Sequence, residues 1–134
     1  MTIDLSLGVG DGYNITRYGI GYEWNPLHPV AYISFTPKWF YNRDLRIAQG
    51  KPTLFNAGNY FGIRVKYTTR TIVENAFVYD ALLMNVHWGL QRPVSNRWTV
   101  NSHFGIGYAT DATDLNNTEG TIYPSLDLKF SYVL

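Results

Sequence analysis

Residues 125–134 read S-L-D-L-K-F-S-Y-V-L, with apolar side chains at every even position from Leu126 to Leu134 and Ser125, Asp127, Lys129 and Ser131 at odd ones. Successive side chains of a strand point to opposite faces, so this stretch makes a strand with one greasy face and one polar face. Two settings accept such a strand. A soluble sheet turns the apolar face into a shared core, whereas a membrane barrel turns it outward to lipid and lines its lumen with the polar face.

The same alternation recurs upstream in six segments, with Gly, Pro, Asn and Asp between them. Ile3, Leu5, Leu7 and Val9 oppose Asp4, Ser6, Gly8 and Gly10; Tyr18, Ile20, Tyr22 and Trp24 oppose Arg17, Gly19, Gly21 and Glu23. Ala31, Ile33, Phe35, Trp39 and Tyr41 oppose Ser34, Thr36, Lys38 and Asn42, with Pro37 tolerated only where a missing N–H does little damage. Phe61, Ile63, Val65 and Tyr67 oppose Arg64, Lys66, Thr68 and Arg70. Leu82, Met84, Val86, Trp88 and Leu90 oppose Asn85, His87, Gly89 and Gln91, and Trp98, Val100, Phe104, Ile106 and Tyr108 oppose Asn101, His103, Gly105 and Gly107.

Pooling the polar faces brings together Asp4, Arg17, Glu23, Lys38, Arg64, Lys66, Arg70, His87, His103, Asp127 and Lys129. No apolar ligand would select that lining, but in a narrow lumen opposite charges from different strands can pair, and the recurring glycines leave room for long cations. The complementary set, Leu82, Met84, Val86, Trp88, Phe104, Ile106, Leu126, Leu128, Phe130 and Tyr132, is then the lipid-facing exterior. Composition agrees. Aromatic and charged residues each make up 16% of the chain, a balance poor for a solvated surface and suited to interfacial girdles.

The terminal L-D-L-K-F-S-Y-V-L resembles the C-terminal targeting strand of bacterial outer-membrane β-barrels, although it ends in Leu134 where that strand usually ends in an aromatic. Over nearly its full length the chain is similar in pattern to small barrels of the OmpA and OmpX type. The resemblance implies a bacterial outer-membrane location, a signal peptide removed ahead of the barrel, and a closed antiparallel up-and-down barrel. The 134 residues suit one domain, and eight strands would nearly use them up. Seven are legible. An eighth is expected within residues 43–58, within 70–78, or upstream of Met1, although Asp44 to Gln49 could equally form a helical turn ending at Gly50. With the C-terminus periplasmic, residues 112–121 and 71–77 become external loops and 92–97 a periplasmic turn. Residues 43–58 would then be periplasmic, and long for that side.

With 11 basic and 10 acidic residues there is no field of one sign to attract nucleic acid. The absence of cysteine removes disulfides and thiolate metal sites. His87 and His103 should lie opposite each other or one pair apart on consecutive strands, but two imidazoles with only Asp127 as a possible third ligand are better read as members of a hydrogen-bonded network than as a metal site. Ser102 precedes His103, yet strand parity sends the two to opposite faces, so no nucleophile–base pair forms there. The glycines of G-V-G-D-G, residues 8–12, read as strand glycines running into a turn, and the N-x-T triplets at Asn14 and Asn116 as turn chemistry.

The sequence therefore leads to a non-enzymatic outer-membrane β-barrel with a charged, mostly closed lumen, no cofactor and no metal. Its partners are the lipid bilayer and, through residues 43–58 or 111–121, a protein. The competing readings are a soluble lipocalin-like barrel that binds an apolar ligand and an outer-membrane lipid-modifying hydrolase.

Overall fold

A computed structural model describes residues 1–10, 12–23, 29–70, 80–113 and 120–132. The chain is all-β and antiparallel. Its strands are β1 (Thr2–Gly10), β2 (Gly12–Thr16), β3 (Gly19–Glu23), β4 (Val30–Phe40), β5 (Gly58–Thr68), β6 (Ala81–Pro93), β7 (Trp98–Asp111) and β8 (Gly120–Tyr132). A short helix, α1 (Arg43–Ala48), and a 3-10 turn at Leu54–Asn56 join β4 to β5. No helix among the described residues is long and apolar enough to cross a membrane.

Six strands form one sheet in the order β1-β4-β5-β6-β7-β8, and β2 and β3 form a separate hairpin that lies against β8. The register is continuous. Trp39 pairs with Phe61, Phe61 with Trp88, Trp88 with Phe104 and Phe104 with Leu126, so one row of apolar side chains crosses five strands. The β4–β5 ladder lapses at Thr36 and Pro37 and resumes unshifted at Lys38, so the missing proline N–H interrupts the pairing without a bulge.

The sheet curls. In a flat sheet β5 and β8, separated by two strands, would stand about 14 Å apart at roughly 4.8 Å per strand. Yet the Arg64 guanidinium reaches the Asp127 carboxylate at 2.9 Å, and Tyr60 Oη on β5 donates to Asn101 Oδ1 on β7 at 2.7 Å. Glycines permit this on the concave side. A side chain on Gly62 would collide with the His87 ring, one on Gly89 with the Tyr60 ring, and one on Gly107 with the Tyr123 ring. Each bulky inner ring thus lies over a bare backbone in a neighbouring strand.

The eighth strand is β2, not a segment of residues 43–58. Residues 12–16 had read as turn, but they pair with β3 through Tyr13–Tyr22 and Ile15–Ile20, with Arg17 and Tyr18 as the connecting turn. Residues 43–48 take the helical alternative, and Gly50 leaves it at a positive φ of 63°. Of the other internal candidate, residues 70–78, all but Arg70 lie outside the described residues, as do Trp24 and most of the expected loop at 112–121. That loop is also shorter than expected, because β8 already begins at Gly120.

Replacing Gly89 by Val should drive Tyr60 from its seat and cost about 1–3 kcal/mol in equilibrium urea unfolding. The matching control is Gly19→Ala, where nothing lies within 4 Å of a new Cβ. It should change stability by less than about 0.5 kcal/mol.

Candidate functional site

Burial along the strands runs opposite to that of a soluble protein. On the outer face Leu126 is 78% exposed, Leu7 73%, Trp39 70% and Phe130 64%, whereas on the inner face Lys38, His87, His103, Asn85 and Thr36 are all buried. The ten side chains assigned to the exterior keep that face. Met84, Val86, Phe104, Ile106, Leu126, Leu128, Phe130 and Tyr132 are exposed, and Leu82 and Trp88 are half-buried among outer neighbours. Trp88 packs against Phe104 with its ring tilted, 5.6 Å between centroids, and donates its indole N–H to Tyr41 Oη at 2.9 Å.

The interior is organised around Arg64. Its Nη1 bonds Asp127 across the concave face, and its Nε approaches Thr36 Oγ1 at 3.4 Å on the adjoining strand. Lys38 pairs with Asp4 on β1, its ammonium lying 4.9 Å from the centre of the Tyr60 ring. Lys66 bonds Tyr13 Oη at 2.9 Å and sits over the Tyr13 and Tyr32 rings. Lys129, on the same β8 face as Asp127, borders the internal cavities and is exposed.

His87 and His103 are one pair apart in register, with their rings 4.1 Å between centroids. His87 Nδ1 bonds Asn85 Oδ1 at 2.7 Å, and His103 Nδ1 lies 4.0 Å from Asp127. Both Nε2 atoms are buried with no hydrogen-bond partner among the described residues. No three His, Asp or Glu side chains among those residues converge closely enough to hold a metal ion. Ser102 alternates with Asn101 and His103, which are buried on the inner face, so it points away from the imidazole.

Two of the expected lumen residues stand at strand ends, away from the Arg64 centre. Arg17 is exposed in the β2–β3 turn, and Arg70 is exposed beyond the end of β5, where its backbone N–H bonds Asp80. Strand parity had been extended past the strand ends in both cases. The Glu23 side chain lies outside the described residues. The sequence reading also missed the apolar part of the interior: Tyr13 from the hairpin packs with Ala81, Leu83, Ala109 and Tyr123 at one end of the sheet. At the opposite end Tyr60, Asn101 and Gln91 form a chain of side-chain hydrogen bonds, and Arg92 bonds Asn59. The glycines facing Tyr60 and Tyr123 were the available signal.

Three cavities, of about 480, 470 and 230 Å³, share Arg64 and Asp127 in their walls. The ion pair therefore stands where the internal spaces meet. No protein-family model, curated protein or solved structure matches the chain.

The Arg64–Asp127 pair should be measurable by a double-mutant cycle with Arg64→Met and Asp127→Asn. About a third of the carboxylate is open to water, so the coupling should be about 1 kcal/mol, well under that of a fully buried pair. A coupling of zero in urea unfolding would show that the contact ties nothing together.

Proposed function

We propose that the chain is an integral β-barrel of a bacterial outer membrane, similar in kind to the small OmpA- and OmpX-type barrels. In this reading the outer face meets lipid, and the lumen is closed by its own ion pairs and packed rings. The observation that carries the reading is the inverted burial: a continuous band of Trp, Phe, Ile and Leu stands exposed while Lys38, His87 and His103 lie inside. The row from Trp39 to Leu126 alone is roughly 20 Å wide at about 4.8 Å per strand, and rows through Ile63, Val86 and Ile106 and through Val65, Met84 and Tyr108 run beside it. Soluble monomers rarely leave apolar patches of more than a few hundred Å² uncovered. A lipocalin-like protein would bury these rows and expose the lysines, so the soluble alternative has no support here.

The lengths also suit a bilayer. Crossing takes about 9–11 tilted residues, and β1 and β4–β8 run from 9 to 14. The hairpin strands, five residues each, are too short and serve as an inward-packed insertion. An even number of long antiparallel strands returns Thr2 and Tyr132 to one end, which this reading makes periplasmic, with α1 and the 94–97 turn on the same side. In the barrel the edges of β1 and β8 come together, although the sheet order itself runs from one to the other without pairing them. The role is structural or binding rather than catalytic, because the serine next to His103 faces the wrong way and the paired imidazoles lack a third ligand.

Two experiments test this. The full chain should float with lipid vesicles and show a heat-modifiable gel shift in micelles; a folded monomer in plain buffer would exclude the membrane reading. In planar bilayers the wild-type chain should conduct little, and Arg64→Ala with Asp127→Ala should raise the single-channel conductance at least twofold by opening the point where the cavities meet. An unchanged conductance would place the barrier elsewhere.

A further inference from the structure

The two ends of the sheet differ in charge. The end that holds α1 and the 94–97 turn carries Arg43, Arg46, Lys51, Arg92 and Arg97, and Asp44 is the one acidic residue in those two connections. Among the described residues none of these cations forms an ion pair. At the other end the exposed Arg17 and Arg70 share the surface with Asp80 and Asp111. Two guanidiniums at the basic end are held in place by neutral acceptors: Arg46 Nη2 donates to the Pro52 carbonyl at 2.8 Å, and Arg92 Nη2 to Asn59 Oδ1 at 2.6 Å. They stand close enough to repel each other. Arg46 Nε is moreover buried with no hydrogen-bond partner among the described residues. Fixed guanidiniums with an unmet donor and no counter-charge favour a phosphate, whose oxygens accept from the planar fork.

The surroundings select the source of that phosphate. Tyr41, two residues before α1, accepts the Trp88 indole N–H, and Trp98 packs edge-on to Tyr132, to which Arg97 donates at 3.0 Å. Leu45 and Ile47 alternate with the arginine and alanine of α1 and are 60% and 58% exposed, continuing the apolar outer face past the strand ends. Tyr and Trp mark the level at which hydrocarbon gives way to headgroups, so cations just beyond them stand at the depth of the headgroup phosphates. A soluble anion would gain nothing from exposed Leu45 and Ile47. If the outer face meets lipid, as proposed above and as this inference requires, one occupant satisfies both the charge and the greasy margin. We propose that the α1 end docks on the anionic headgroups of the leaflet it faces, with a phosphate held by Arg46 and Arg92 and with Arg43 and Lys51 adding attraction from the rim.

The test uses the full chain in dodecyl maltoside micelles, titrated with dioleoyl phosphatidylglycerol and followed through the backbone amide shifts of residues 43–51 and 92–97. Saturable binding is expected, at least tenfold tighter than that of dioleoyl phosphatidylcholine, whose head carries no net charge. Arg43→Gln with Lys51→Gln, both exposed, should weaken it at least tenfold, since each cation near an anionic surface contributes roughly fivefold. Removing two cations from the other end, in Arg17→Gln with Arg70→Gln, should change the affinity less than twofold. Equal loss in the two double variants overturns the site, because net charge alone would then explain the binding. Equal affinity for the two lipids overturns it as well. Glycerol phosphate, the free head, should bind at least tenfold more weakly than the whole lipid, and equal binding overturns the leaflet as the occupant. Should the Arg43 and Lys51 variant fail to fold, these wild-type comparisons still decide. Vesicle flotation is run first. A chain that floats but shows no preference for phosphatidylglycerol refutes this surface alone, whereas one that does not float refutes the membrane reading on which it rests.

Discussion

Everything inside this sheet depends on one constraint: a charged group turned to its concave face must find a counter-charge, a hydroxyl or an aromatic ring within a few ångströms. Arg64 and Asp127 meet that constraint across two intervening strands, and they do so only because the sheet bends. Because about a third of the Asp127 carboxylate is open to water, losing the pair should cost about 1 kcal/mol, a noticeable share of a small domain's net stability. The pair therefore measures the curvature as well as depending on it. Glycines at 62, 89 and 107 make the bend possible by clearing side chains from the crowded side of the wall, where an aromatic or imidazole from the adjacent strand takes their place.

The two ends of the interior are finished with different chemistry. Where β6 and β7 meet the hairpin, Tyr13, Leu83 and Tyr123 pack as a small apolar plug, and the tyrosine hydroxyls turn back to Lys66 and Asn85. At the other end an amide and phenol chain through Tyr60, Asn101 and Gln91 reaches the Phe55 carbonyl of the β4–β5 connection, which folds across the opening. Between them lies the ion-paired layer, which all three cavities touch. This layering places fixed side chains at both ends of the interior and leaves the cavities between them.

The long strands were legible in the sequence because a period of two, sustained over nine or more residues, has no competing explanation, and the face chemistry followed from parity. β2 was not legible because its signal is short. Tyr13 and Ile15 alternate correctly, but Gly12 and Asn14 are turn formers, and five residues do not outweigh them. Arg17 and Arg70 went astray for the opposite reason, since parity has no meaning beyond the last paired residue and both lie past strand ends. The inner aromatics were hidden by the rule that polar means inside. Tyr60 and Tyr123 face inward because a phenol offers a flat ring to a glycine and a hydroxyl to an amide, a combination that face-sorting by polarity cannot see.

The hairpin bears on whether β1 and β8 can share an edge. Six long strands alone would curl more tightly than the eight of the smallest familiar outer-membrane barrels, and their interior would have to be correspondingly slim. Here the interior is not slim. It holds the Tyr13 side of the hairpin, an ion pair, two imidazoles in contact and three cavities. The β2–β3 hairpin reconciles the two by lying against β8, so that at that end the wall gains width without a further long strand. On this view the wedge that widens one end also keeps the edges of β1 and β8 from zipping along their full length. The unpaired edges of β1 and β8 and the hairpin are then two consequences of one insertion: deleting residues 12–23 should let the edges approach and close the 470 Å³ cavity lined by both strands.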